Sequence, residues 1–319
     1  MALFSLCHVL RLPCGELIMF TIIHSSNEHL FLAKIGAVSL GELYLHEEIV
    51  ERFLEILIRI LSQAQFFQHP IIVDEKSKVV LDGMHRVTAL RRLQFDYIIA
   101  YLVDYNNPLI QIKRWCRKYE LNKKIGKKML MNILQKLQKM GNIAYDLVDI
   151  EAAEACLKKR SAIAYVQTHT NLHTVYCLYS EESTSILHAY RTLKAIEKFL
   201  ESYLGTPTSY ISDEMAKKQL RKRRDIMIIV PPQVNKDEVI NYATQGIVFP
   251  PKTTRHIIPL RPFFVNIPMV LLKKTNLTAS IEDVNRLVHI ILSQKRGVKL
   301  HGKVEIDRFY EDDYIYVFI

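Results

Sequence analysis

A chain of 319 residues that is 49% hydrophobic and 24% charged has the balance of a globular protein, long enough for one large or two ordinary domains. Its 10 glycines and 11 prolines exclude a collagen-like or linker-dominated chain, and 16 tyrosines with 13 phenylalanines supply apolar surface for a core. A formal charge of +10, from 43 Lys and Arg against 33 Asp and Glu, favours anionic partners without choosing among nucleotides, phosphorylated metabolites, nucleic acid and acidic membranes.

The five cysteines, Cys7, Cys14, Cys116, Cys156 and Cys177, are odd in number, scattered and never C-x-x-C. Neither a disulfide framework nor a zinc knuckle is suggested, and a reducing cytoplasm fits. The opening MALFSLCHVL has no basic residue before it, and Arg11 and Glu16 interrupt the apolar run beyond it, so no cleavable signal is read there. No uncharged apolar run reaches the roughly 18 residues of a membrane helix, so no membrane partner is expected. Met19 begins a natural first strand, and no function is placed in residues 1–18.

From Phe20 to Leu45, β-branched and aromatic residues punctuated by Gly36 and Gly41 predict short strands. His46 to Gln65 predicts a helix, with Ile49, Phe53, Leu57, Ile60 and Leu61 on its apolar face and Glu47, Glu48 and Glu51 in its first turn. Residues 70–74 and 79–81 predict strands, 87–93 a helix and 97–103 a strand, an α+β order. The stretch 113–128 alternates basic and apolar residues, which suits a solvated helix face or, as the alternative, a nucleic-acid-binding helix.

Beyond a boundary near Gly141, helices are predicted at 183–203, 214–224, 235–246 and 281–295, and a strand at 226–230. His169, His173 and Cys177 recur every four residues, but their β-branched and aromatic surroundings predict a hairpin, not a helical metal site. Residues 249–256, FPPKTTRH, set two hydroxyls, two cations and an imidazole in succession before Ile257 resumes a strand.

The sharpest motif is V-V-L-D-G-M-H-R-V-T-A-L, residues 79–90. Gly83 permits a sharp strand-to-helix turn, so backbone N–H groups at the helix start can face a phosphate while Arg86 offers a cationic fork. Asp82 suits a metal or a proton, and His85 can neutralise a phosphoryl oxygen. The plainer account is an Asp-Gly turn with an Arg salt bridge.

Asp82-Gly-Met-His-Arg86 followed by Thr88-Ala-Leu90, preceded by His69-Pro-Ile-Ile-Val-Asp74, resembles the nucleotide-binding motif of the ParB and sulfiredoxin superfamily. Met84 stands where sulfiredoxins carry their attacking cysteine, and a thioether forms no thiolate, so that branch is excluded. ParB partition proteins add helix-turn-helix readers, for which 113–128 is the candidate segment. The free L-serine kinases resemble the chain at more places: at Leu45-His46-Glu47, at Trp115 and at 249–256.

That resemblance implies an α+β chain with a ParB/sulfiredoxin-like nucleotide-binding domain at 20–135 and a C-terminal α/β domain at 136–319 that contributes the substrate loop. It implies phosphoryl transfer from ADP or ATP, with Mg2+, to free L-serine, giving O-phospho-L-serine. Glu47, Asp82 and His85 are then catalytic, with Asp82 also the metal ligand. Gly83, Met84, His85, Arg86 and Thr88 hold the nucleotide phosphates, and Trp115, Thr253, Thr254, Arg255 and His256 hold serine. The partners are nucleotide and free L-serine; nucleic acid is not expected, and a ParB-like DNA-binding or nucleotide-sensing regulator is the alternative.

Overall fold

The computed structural model describes residues 19–26, 29–141, 143–180, 185–275, 278, 280–302, 304–306, 310 and 312–319. Cys7 and Cys14, and residues 1–18 as a whole, lie outside the described residues. The chain folds as two units, each discontinuous in sequence: residues 1–111, 236–248 and 256–319 form one, and 112–235 with 249–255 form the other. The division expected near residue 135 therefore falls inside the second unit, which the chain re-enters for seven residues of the 249–256 segment.

The first unit contains β1 (Phe20–Ser26), β2 (His29–Ser39), α1 (Glu51–Gln63), β3 (Phe66–Phe67), β4 (Ile71–Asp74), β5 (Val80–Asp82), α2 (Met84–Arg92) and β6 (Tyr97–Val103). The second runs through β7 (Gln111–Lys113), β8 (Cys116–Glu120), α3 (Lys127–Gln138), β9 (Ile143–Asp149), α4 (Ile150–Lys158), β10 (Ala164–Thr168), β11 (Thr174–Ser180), α5 (Ile186–Leu204), β12 (Ser209–Ile211), α6 (Asp213–Lys222) and β13 (Ile226–Val230). The first unit resumes with α7 (Lys236–Thr244) and, after β14 (Arg255–Ile257) at the last crossing, adds β15 (Leu260–Phe263), β16 (Ile267–Pro268), α8 (Ile281–Ser293), β17 (Gly297–His301) and β18 (Tyr314–Phe318). No helix among the described residues is long and apolar enough to cross a membrane.

The main sheet of the first unit has the order β1-β2-β6-β4-β5, with β4 and β6 parallel and the other neighbours antiparallel. All seven residues of β6 are buried, which accounts for its unbroken apolar run Tyr97 to Val103. Gly36 lies inside β2 rather than at a turn. A Cβ there would sit 2.4 Å from Asn285 Oδ1, and that oxygen accepts from Ala37 N at 2.7 Å, so the glycine lets α8 approach the strand.

Helix α1 begins at Glu51, so the expectation that Glu47 and Glu48 occupy its first turn is corrected. They belong to the extended segment that follows the bridge between Tyr44 and Val79. The buried face of α1 is Leu54 and Leu61, whereas Phe53 and Ile60 are exposed. Apolar residues stand on most sides of this helix, and spacing alone does not choose among them.

The second unit is built on an antiparallel sheet of order β12-β8-β13-β10-β11-β9. The stretch 113–128 expected as a basic helix instead begins in the strand 111–113 and contains the strand 116–120. The cations of 113–118 are engaged within the unit: Lys113 with Glu214, Arg114 with Asp213 and Glu154, Arg117 with Glu197, and Lys118 with Glu120. Alternation with period two places Cys116 in the apolar cluster of α4, α6 and the sheet, while Arg117, 1% exposed, reaches Glu197 on α5. The pairing of β10 with β11 makes the hairpin expected around His169 and His173.

Candidate active site

The motif turn forms where β5 ends at Asp82 and α2 begins at Met84. Gly83 between them has φ of 98° and supplies no side-chain cap to α2, whose N-terminus carries the positive end of the helix dipole. A Cβ at Gly83 would lie 2.5 Å from Ile71 Cγ2 and 2.9 Å from Arg86 Nη2. Gly83→Ala is therefore expected to cost about 2–4 kcal/mol through strained backbone and overpacking, read as a lower urea midpoint.

Around this turn the first unit gathers several of the sequence-identified residues. Glu47 is buried at 8% exposure, and its N–H points to Met84 Sδ at 3.3 Å, so the segment before α1 is held against the first residue of α2. His85 Nε2 accepts from Val50 N at 3.1 Å. Arg86 donates to the carbonyls of His69 and Pro70 at 2.5 and 3.1 Å and lies 3.7 Å from Asp82 Oδ2, bracing the loop before β4. The Thr88 hydroxyl donates back to Met84 O at 3.0 Å.

Behind the turn lies a buried polar layer that no sequence motif announced. Asp82 Oδ2 accepts from Arg261 Nη1 at 2.7 Å, and Arg261 is clamped from its other side by Asp312, with Nε to Oδ2 at 2.6 Å. His46 Nδ1 lies 2.7 Å from Val80 O, and the rings of His46 and His256 meet edge to face at 5.4 Å. His256 Nε2 is 2.7 Å from the Tyr105 hydroxyl. Burial holds both imidazoles below the ordinary histidine range. For His46 the nearby Glu47 carboxylate opposes the shift, and for His256 the His46 neighbour reinforces it.

Trp115, Thr253, Thr254 and Arg255 lie together in the second unit, whereas His256 belongs to the first. Trp115 Nε1 donates to Thr254 O at 3.0 Å, and its ring carries Arg255 at 5.3 Å and Lys252 at 5.5 Å from the centroid. The Thr253 hydroxyl donates to Pro250 O at 2.7 Å, while Tyr190 donates to Thr253 O at 3.2 Å. The indole thus gathers two cations, the exposed Lys252 and the buried Arg255, the latter 3.6 Å from the Glu214 carboxylate.

No established family profile matches the chain. A ParB-like protein of Sulfolobus acidocaldarius is 28% identical over 220 residues, covering 69% of this chain and 88% of the relative. An ATP-dependent L-serine kinase of Staphylothermus marinus is 24% identical over 244 residues, 74% of this chain and 90% of that one. An ADP-dependent L-serine kinase of Thermococcus kodakarensis is 24% identical over 240 residues, 73% and 90% respectively. Over about three quarters of its length the chain is thus similar to a ParB-like protein and to L-serine kinases.

The fold is similar to that of solved structures. A free serine kinase in complex with AMP superposes with a TM-score of 0.58 at 18% identity, covering 75% of this chain and 93% of that one. SbnI from Staphylococcus aureus, truncated at its C-terminus, gives 0.61 at 15% identity, with 81% and 95% covered.

Four members of the polar layer, His46, Tyr105, Arg261 and Asp312, are not singled out by any pattern in the sequence. His46 stands out there only as part of Leu45-His46-Glu47. A signal was present in Asp312, a carboxylate in an otherwise strand-like C-terminus, but its partner is 51 residues away.

Three buried histidines set a pH dependence. His24 is held at about 4 by burial and Lys299, and His46 and His256 are also lowered, so all three fold as neutral rings. The unfolded chain takes up protons below about pH 6.5 where the folded one does not, so stability is full above that pH and is lost as pH falls through it. Thermal unfolding followed from pH 7.5 to 5 is expected to show the melting temperature falling steadily below about 6.5. A flat profile would contradict the neutral burial of these rings.

Proposed function

We propose that the protein is a phosphotransferase that moves a phosphoryl group from ADP or ATP to the hydroxyl of free L-serine, giving O-phospho-L-serine. The observation that carries this reading is the bond from the Glu47 N–H to Met84 Sδ, which holds the segment of this buried glutamate against the residue that opens α2. Phosphoryl transfer asks of a protein mainly positioned phosphates, charge neutralisation and a base at the attacking hydroxyl. The N-terminus of α2, with the positive end of its dipole behind the Gly83 turn, suits the first two. Glu47 suits the third: it accepts the serine hydroxyl proton as the oxygen attacks phosphorus and the bridging oxygen leaves with ADP or AMP.

The rest of the layer keeps that geometry in place. The clamp of Asp312 on Arg261, and of Arg261 on Asp82, fixes the residue that precedes Gly83. His46 binds Val80 O on β5 and thereby anchors Glu47 through the chain. In the second unit, Arg255 and Lys252 against Trp115 suit recognition of a carboxylate such as that of a free amino acid.

The donor set fits magnesium in a limited way. Among the described residues no group of three or more His, Cys, Asp or Glu side chains could hold a metal ion, and Asp82 is already opposed by two guanidiniums. A magnesium ion that keeps waters and nucleotide phosphate oxygens as most of its ligands, with Asp82 as the protein carboxylate, matches this. Bound there, it would neutralise developing phosphate charge.

The direct test is incubation with Mg2+, L-serine and either ADP or ATP, followed by phosphorus NMR. A new phosphomonoester signal coincident with that of added O-phosphoserine, with AMP or ADP released, is the expected result and names the donor. Nucleotide binding without phosphoserine from either donor would refute the kinase reading and leave a nucleotide sensor.

A further inference from the structure

The second unit holds a pair of thiols that phosphoryl transfer does not use. Strand β9 ends at Asp149 and α4 begins at the next residue, so the helix turns back over the sheet in the direction that β11, antiparallel to β9, also takes. A bond of 3.1 Å from Ile150 N to His173 O pins the start of α4 to the residue before β11. From that pin, at helical and extended rises, Cys156 lies about 9 Å on along α4 and Cys177 about 13 Å on along β11, over the same stretch of sheet.

Alternation along β11 turns Val175, Cys177 and Tyr179 to the face that packs on Ala153, Cys156 and Leu157 of α4. The Cys156 thiol is within hydrogen-bonding reach of Cys177, and the Tyr179 hydroxyl is within reach of both. Both cysteines are free thiols, Cys177 fully buried and Cys156 half-buried. Burial pushes the Cys177 thiol up to about 11, so it is inert toward electrophiles outside the pair, whereas Cys156 is open to small ones.

We propose that Cys156 and Cys177 are a reversible disulfide site, in which Cys156 meets a peroxide and Cys177 resolves the product. The Cys156 sulfur attacks one oxygen of hydrogen peroxide, the O–O bond breaks, and the departing hydroxide leaves as water with the thiol proton, giving a sulfenic acid. The Cys177 sulfur then attacks the Cys156 sulfur, the S–O bond breaks, and the hydroxyl leaves as a second water with the Cys177 proton. Each sulfur loses one electron and the peroxide gains two. Side-by-side packing makes the second step intramolecular, which offsets the poor ionisation of Cys177, and the Tyr179 hydroxyl suits donation to the leaving oxygen.

The site has a route to the indole of Trp115. Glu154, on the same helix as Cys156, accepts from Arg114 Nη2 at 2.6 Å and Nη1 at 3.1 Å and from the Tyr165 hydroxyl at 2.9 Å. Arg114 directly precedes Trp115, the single tryptophan of the chain, whose ring carries Arg255 and Lys252. Closing the bridge draws the end of α4 onto β11, and the Glu154 carboxylate and the guanidinium it fixes are expected to move with it. The bridge itself does not depend on the kinase reading.

The test treats the full chain with hydrogen peroxide, alkylates the remaining thiols and maps unreduced tryptic peptides by mass spectrometry. The expected product is the Cys156 peptide joined to the Cys177 peptide, separated again by dithiothreitol. Cys156→Ser, at the half-buried position, should keep the melting temperature of the unaltered chain and form no such link. Emission from Trp115 should shift on oxidation of the unaltered chain and stay constant in Cys156→Ser. Cys156 recovered as a thiol or a sulfinic acid without a link to Cys177, or joined to a cysteine of another chain, would overturn the proposal. A bridge that formed with Trp115 emission unchanged would uphold the disulfide site and overturn the route to the indole.

Discussion

Glu47→Gln is expected to lower the rate of phosphoserine formation by about 10²–10⁴, the range a positioned general base contributes, while nucleotide affinity changes little. The amide cannot take the serine proton, yet it preserves the side-chain volume, and the contact of the Glu47 backbone N–H with Met84 does not involve the carboxylate. Turnover followed by phosphorus NMR, beside calorimetric titration of ADP, separates the two quantities. A variant with full turnover would remove Glu47 from the chemistry. A variant that lost nucleotide binding as well would make its role structural.

The second large effect concerns stability. Arg261 and Asp312 are 6% and 2% exposed, and Asp312 Oδ1 also accepts from Ile258 N at 2.8 Å. Asp312→Ala removes the carboxylate that clamps this buried guanidinium while its bond to Asp82 remains, a loss of the kind that costs about 3–5 kcal/mol. The paired replacement Arg261→Met/Asp312→Leu removes both charges, and most of the stability is expected to return because the desolvation penalty goes with them. Urea denaturation of the two variants measures this. If the paired variant were no more stable than Asp312→Ala, the clamp would not be an uncompensated-charge effect. Phosphoserine formation by the paired variant should still be impaired, since Asp82 loses the cation that fixes it.

The two results probe different links in the same chain of causes. In the proposed reaction Glu47 would act on the reacting hydroxyl, whereas Asp312 would act at a remove, through Arg261 and Asp82, on the turn that presents α2. A kinase with a correct base and a slack turn would bind phosphate poorly, because helix N–H groups act only when their direction is held.

Much of this site was legible in the chain itself, for local reasons. The strand-turn-helix at 80–92 arises from an apolar strand, an Asp-Gly step and helix-forming residues within one short window, and Gly83 takes a φ that other residues adopt at a cost. The strands at 71–74, 97–103 and 226–230 arise likewise from short β-branched runs. Met84 is different. From its place in the motif it offers only its backbone, yet its sulfur receives the Glu47 N–H, a contact between side chain and backbone 37 residues apart that no local pattern encodes.

What the sequence by itself determined was the chemistry available: the glycine turn, the carboxylate of Glu47, the cations and hydroxyls of 249–256, and a basic excess. Local sterics and hydrophobic spacing suffice for those. Only the tertiary structure decided which charges are neutralised and which face outward. Arg114 and Arg117 read like Lys123 and Lys124 in a one-dimensional list. Strand pairing turns the first two toward Glu154, Asp213 and Glu197, while the loop after β8 leaves the lysines in water. The face chosen by α1, the meeting of His46 with His256 and the clamp on Arg261 are settled in the same way. Each depends on which distant segment supplies the partner, and burial penalises every arrangement in which that partner is missing.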